Sequence, residues 1–67
     1  MNKLKEIRLA REMTQAEVAS KANVPQRTYQ NYELGVREPG IYAAIRIADA
    51  LGCDVKDIWG DINASRR

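Results

Sequence analysis

"TQAEVASKANVPQRTYQNYELG", Thr14–Gly35, is the stretch on which the fold turns. Thr14 and Glu17 stand three apart at the head of an apolar series, the spacing of a capping box. In such a box the threonine hydroxyl accepts from the amide three residues on, and the glutamate reaches back to the threonine amide. A helix is therefore predicted to start at Thr14, with Val18, Ala19 and Ala22 on its core side. Asn23 tolerates the left-handed backbone in which helices end, so this helix is short. Pro25 suits a first helical turn, which has no use for the missing amide hydrogen, and Gly35 supplies the stop.

Outward from this centre the chain remains helical. "LKEIRLAREM", Leu4–Met13, places Leu4, Ile7, Arg8 and Arg11 at helical spacing, a first amphipathic helix with a charge inside its apolar stripe. "VREPG" is a turn-rich connection. Ile41, Ala44, Ile45, Ala48 and Leu51 then mark a fourth helix stopped by Gly52, and Asp54 caps a last one holding Val55, Ile58 and Trp59. "NASRR" has no apolar spacing and is expected to fray. The reading is an all-α, compact five-helix domain over 1–62, with a central helix pair at 14–34 and a tail at 63–67.

Composition bounds what such a domain can do. A chain of 67 residues is one domain near the lower limit for a self-sufficient core. Its 45% hydrophobic and 30% charged residues suit a folded helical protein rather than a disordered one. There is no Phe, so Ile, Val, Leu, Ala and Tyr must do the packing. No apolar run approaches the roughly 20 residues of a membrane helix, and "MNKLKEIR" is too polar for a signal peptide. A cytoplasmic location and no membrane partner are expected. With one cysteine, Cys53, and no histidine, intrachain disulfides, Cys/His metal clusters and Cys-His or Ser-His catalysis cannot be built. No enzyme activity, cofactor, metal or small-molecule ligand is expected. Asp49, Asp54, Asp57 and Asp61 are better read as helix caps and solvated charge than as a cation site. The net charge of +2 leans only slightly toward an anionic partner.

The third helix carries the functional signal. At ~100° per residue, Tyr29, Tyr32 and Glu33 share one side, while Arg27, Asn31 and Leu34 lie opposite, flanked by Gln30, with Gln26 in the exposed first turn. An outward flank of amides and a guanidinium is the chemistry that reads base edges: Gln or Asn pairs with adenine and Arg with guanine in the major groove, each good pair discriminating by ~1–3 kcal/mol. A solvated polar face is the plainer alternative. Two features weigh against it. A short capped helix, a three-residue turn and a second helix have the spacing of a helix-turn-helix. Arg8 and Glu33, moreover, each sit on the apolar side of their own helix, where a charge is tolerated only against an opposite one. These two are expected to pair and tie the first helix to the third.

Taken together, Arg8, "TQ" at Thr14–Gln15, Ala19, "YE" at Tyr32–Glu33, Gly35, Pro39 and "ADALGCDVKDIW" resemble the phage Cro and repressor-type, or Xre-like, helix-turn-helix family over about Leu4 to Trp59. The resemblance implies a λ-repressor-like DNA-binding domain. It implies that Gln15 opens the second helix against the DNA backbone, that Gln26, Arg27 and Asn31 face base edges, that Ala19 lets two helices cross closely, and that Arg8 and Glu33 form an internal salt bridge. Three residues depart from the pattern: Asn23 replaces the usual Gly, Pro25 a small polar cap, and Tyr29 an aliphatic residue. The Tyr29 hydroxyl then needs a partner or an exit to solvent.

The function expected is sequence-specific binding of double-stranded DNA by a transcriptional regulator, a repressor acting as a homodimer on a near-palindromic operator. Gln26, Arg27, Gln30 and Asn31 would read bases; Thr14, Gln15 and Arg37 would hold phosphates. A loop arginine in plain water is the alternative for Arg37. Ile41, Tyr42, Ile58 and Trp59, with Ile62, are candidates for a dimer interface, against simple core membership for Trp59. The other class considered is an antitoxin-type interaction module whose DNA binding is autoregulatory.

Overall fold

The structure is a computed structural model and describes residues 2–60. Five helices follow one another: α1 Leu4–Ala10, α2 Gln15–Ala22, α3 Gln26–Leu34, α4 Ile41–Leu51 and α5 Val55–Trp59. The domain is all-α, with no strand among the described residues.

Side chains at Thr14 and backbone geometry at Asn23, Gly35 and Gly52 set the ends of α2, α3 and α4. Thr14 Oγ1 accepts from the Glu17 amide at 3.0 Å while the Thr14 amide donates to Glu17 Oε1 at 2.7 Å, closing the capping box. Asn23, at φ 58 and ψ 46, turns the chain out of α2, and the Val24 amide reaches back to the Ala19 carbonyl at 3.0 Å. Gly35 and Gly52 end α3 and α4 in the same left-handed way. The three residues Asn23, Val24 and Pro25 are thus the turn between α2 and α3. Pro25 itself is extended, at φ −61 and ψ 142, and precedes the first helical residue of α3.

The core is built of Leu4, Val18, Ala19, Ala22, Tyr29, Tyr32, Ile47, Ala48, Leu51 and Ile58. Fully burying each larger apolar side chain stabilises by roughly 1.5–3 kcal/mol. α4 packs chiefly on α2, and α2 also carries α3. Ala19 of α2 is buried in this core, where a longer side chain would have to displace its neighbours. Arginines sew the remaining seams through backbone carbonyls: Arg11 Nε donates to Leu51 O at 2.8 Å and Arg46 Nε to Ala22 O at 2.9 Å, satisfying the free carbonyls at two helix ends. Asn2 braces the amino end, accepting from the Leu4 amide at 3.0 Å and donating to Tyr32 O at 2.8 Å.

Two elements differ from the sequence reading. α1 stops at Ala10 rather than running to Met13, because Glu12 adopts φ 56 and the Met13 amide folds back on the Arg8 carbonyl. In α4 the buried stripe is Ala44, Ile47, Ala48 and Leu51, so Ile41 and Ile45 lie on the exposed side. α4 is apolar over most of its circumference, and its period alone does not choose which stripe turns inward. Residues 61–67, which include Asp61, Ile62 and the tail expected to fray, fall outside the described residues.

Candidate nucleic-acid interface

α3 is held from behind by a four-donor ring around one carboxylate. Glu33 Oε2 accepts from Arg8 Nε at 2.6 Å and from the Tyr29 hydroxyl at 2.7 Å. Glu33 Oε1 accepts from Gln15 Nε2 at 3.1 Å and Arg8 Nη2 at 3.3 Å. Arg8 is completed by Nη1 donating to Met13 O at 2.9 Å. The Arg8 and Glu33 side chains are only 10% and 4% exposed, so the pair is desolvated, with four hydrogen bonds accepted by Glu33 and at least one made by each Arg8 nitrogen.

The electrostatics follow from this ring. Burial by itself would push the Glu33 carboxyl up, but hydrogen bonds from Arg8, Tyr29 and Gln15 outweigh it and hold the group below its ordinary value of 4.5. The Glu33 bond raises Arg8 in return. Burial, and then the bond to Glu33, push the Tyr29 phenol above its ordinary 10.0. At neutral pH the ring is therefore an ionised carboxylate, a guanidinium and a protonated phenol.

With Tyr29 and Tyr32 buried on the inner side, the outer side of α3 carries polar groups and, at its end, the exposed Leu34. Gln26 and Arg27 are exposed at its amino end, and Gln30 and Asn31 are partly exposed one turn on. Gln30 Nε2 donates to Gln15 Oε1 at 3.3 Å, which joins the outer flank of α3 to the start of α2. Thr14 stands exposed at that start with its hydroxyl engaged in the cap, and Arg37 is exposed in the connection after α3. Gln15 differs from the expectation in one respect: its amide is occupied internally by Glu33 and Gln30.

Elsewhere the surface is less organised. An open groove of mixed charge runs between Arg11, Glu17, Lys21 and Asp49 and touches no residue of α3. The Asp54 amide donates to Asp57 Oδ2 at 3.0 Å, a helix-capping use of one acid, and among the described residues no three His, Cys, Asp or Glu are grouped as a cation would need. Cys53 is half-buried, its thiol raised by burial and by nearby Asp57. The four candidate interface residues separate: Ile41 and Tyr42 are 72% and 77% exposed, whereas Ile58 lies in the core and Trp59 packs half-buried against it. Leu34, Val36 and Ile45 add further exposed apolar surface.

A family model described as helix-turn-helix matches residues 4–58, which takes in all of α2, the turn and α3. The chain belongs to the helix-turn-helix family, of the Xre, λ-repressor-like type. No curated protein is similar enough to match it. As a helix-turn-helix protein it is a DNA-binding regulator of transcription, of a family that is regulatory rather than enzymatic. No helix among the described residues is long and apolar enough to cross a membrane.

Proposed function

We propose that this helix-turn-helix protein is a sequence-specific repressor that acts in the cytoplasm as a homodimer on a near-palindromic operator. The observation that carries the reading is the polarity of α3: its tyrosines and Glu33 are turned into the protein, and Gln26, Arg27, Gln30 and Asn31 are left outward on a capped helix that a major groove can admit. Gln26, Arg27, Gln30 and Asn31 read bases. Thr14 and Gln15 at the start of α2, and Arg37 after α3, hold phosphates and fix the register.

Reading by one short helix covers few base pairs, so two copies on half-sites about 34–36 Å apart supply the specificity. Ile41 and Tyr42, the most exposed of the large hydrophobic side chains together with Leu34 and Val36, have apolar area to spare for a second copy. Ile58 is committed to the protomer core, and Trp59 is largely so. Repression then requires only occupancy of the operator.

The test is selection of bound sequences from a random duplex library, with the wild-type protein and with Arg27→Ala. The expected result is a near-palindromic site whose preference relaxes at one base pair per half-site in the variant. Equal affinity for every sequence, or an unchanged site for Arg27→Ala, would remove α3 from the reading role.

A further inference from the structure

The outward arc of α3 carries one side chain that can neither donate nor accept a hydrogen bond. At about 100° per residue Leu34 projects ~20° from Arg27 and ~60° from Asn31, between Gln30 and Arg27 around the helix. Tyr29, Tyr32 and Glu33 take the opposite side. Leu34 is 74% exposed and is not among the residues packed in the core or against it. Its backbone is nevertheless held on both sides of the helix end. The Gly35 amide donates to Tyr32 O at 3.2 Å, and the Val36 and Arg37 amides both donate to Asn31 O, at 3.1 and 3.4 Å. The leucine therefore stands at a fixed height, ~4.5 Å along the axis beyond Asn31 and ~10.5 Å beyond Arg27. With base pairs about 3.4 Å apart, these are roughly one and three steps of duplex.

In the major groove adenine, guanine and cytosine present donors and acceptors, and thymine alone adds an apolar group, its C5-methyl. Set against any other edge, Leu34 strips water from a polar group and returns no hydrogen bond. Against thymine it buries methyl on methyl. We propose that Leu34 is a specificity-determining residue that selects thymine, by covering its C5-methyl group, one base pair beyond the position read by Asn31 in each half-site. The proposal rests on the reading of α3 as the base-reading helix, and it adds an apolar discriminator to a flank that otherwise reads through hydrogen bonds.

Uracil in place of thymine removes the methyl and leaves the hydrogen-bonding edge of the base as it was, so the duplex itself isolates the contact. Library selection with the wild-type protein is expected to return thymine one step past the Asn31 position. Uracil placed there should lower wild-type affinity about 4-fold per half-site, the effect of one buried methyl. Leu34→Ala should bind the two duplexes alike and lose the thymine preference in selection. Alanine suits an exposed helical position, so this variant keeps its fold. A selected site without thymine at that step, a wild-type protein indifferent to uracil, or a Leu34→Ala variant that still discriminates overturns the proposal. So does a variant that loses full-site affinity for every sequence while its half-site affinity is intact, since Leu34 then belongs to a contact between two copies. Failure of the underlying reading has its own signature: the wild-type protein selects no sequence at all, and the proposal falls with it.

Discussion

Tyr29 and Glu33, one turn apart on α3, are joined by a 2.7 Å bond from phenol to carboxylate, and the oxygen that accepts it also accepts the shorter bond from Arg8. Because the three groups share one acceptor atom, removing any of them changes what the other two are worth. Arg8→Met leaves a carboxylate buried without its countercharge and is expected to destabilise the domain by about 3–5 kcal/mol. Tyr29→Phe removes one charge-assisted hydrogen bond, expected at about 1.5–3 kcal/mol. In a domain of this size each kcal/mol moves the melting midpoint by roughly 4–8 °C, so both losses are measurable by thermal unfolding. The double variant should fall well short of the sum, and strict additivity would show that the ring does not act as a unit.

The same carboxylate gives an acid dependence of known sign. Glu33 is held below its ordinary value of 4.5, so on acidification the unfolded chain takes up this proton first. Its contribution is complete above the ordinary value and is lost as pH falls through the lower, folded one. Urea unfolding from about pH 7 to about pH 3 should therefore show a stability gap between wild type and Glu33→Gln that is widest near neutrality and closes in acid. The Tyr29 phenol acts at the other end. Its value is raised, so its contribution is complete below 10.0 and is lost as pH climbs above it, and Tyr29→Phe should be less sensitive to alkali. A gap for Glu33→Gln that stayed constant with pH would exclude the ionised ring.

Much of this was legible in the sequence because the relevant chemistry is local. A capping box, a left-handed Asn and a stopping Gly each act within a few residues, and they fix α2, the turn and α3 where the structure has them. The inward charges Arg8 and Glu33 were legible for a different reason: each interrupts an apolar stripe, and a buried charge requires its opposite. The phase of α4 was not legible, since nearly any stripe on it is apolar. Nor were the bonds from Asn2, Arg11 and Arg46 to distant carbonyls, which span 30, 40 and 24 residues and leave no periodic mark. Gln15 lies between these cases. It falls on the same helical stripe as Val18, Ala19 and Ala22, which does turn it toward α3, but its partner Glu33 is 18 residues away.

Glu12 offers a stability test away from the proposed interface. It holds φ 56 with a side chain that gains nothing from that conformation, and the left-handed region costs an L-residue roughly 1–2 kcal/mol. Glycine relieves that strain but adds freedom to the unfolded chain, so Glu12→Gly should stabilise by a net ~0.5–1 kcal/mol, and a β-branched residue there should destabilise. Chemical denaturation of the two variants decides it: a Glu12→Gly that is less stable than wild type would mean that the Glu12 side chain contributes more than its backbone strain removes.

The apolar surface at Ile41 and Tyr42 bears on assembly, and the choice of variant matters because any added charge would also act on DNA. Ile41→Ser and Tyr42→Ser are neutral and remove apolar area from positions 72% and 77% exposed, so neither should disturb the core. If a second copy docks there, the double variant stays monomeric at concentrations where the wild-type protein sediments as a dimer. Its affinity for a single half-site is then unchanged, while affinity for the full near-palindrome falls on the order of 10–100-fold, because binding at the second half-site loses the high effective concentration that the dimer contact provides. Sedimentation equilibrium together with half-site and full-site binding isotherms separates the two effects. A variant that keeps its full-site affinity, or loses half-site affinity equally, would place the dimer contact elsewhere.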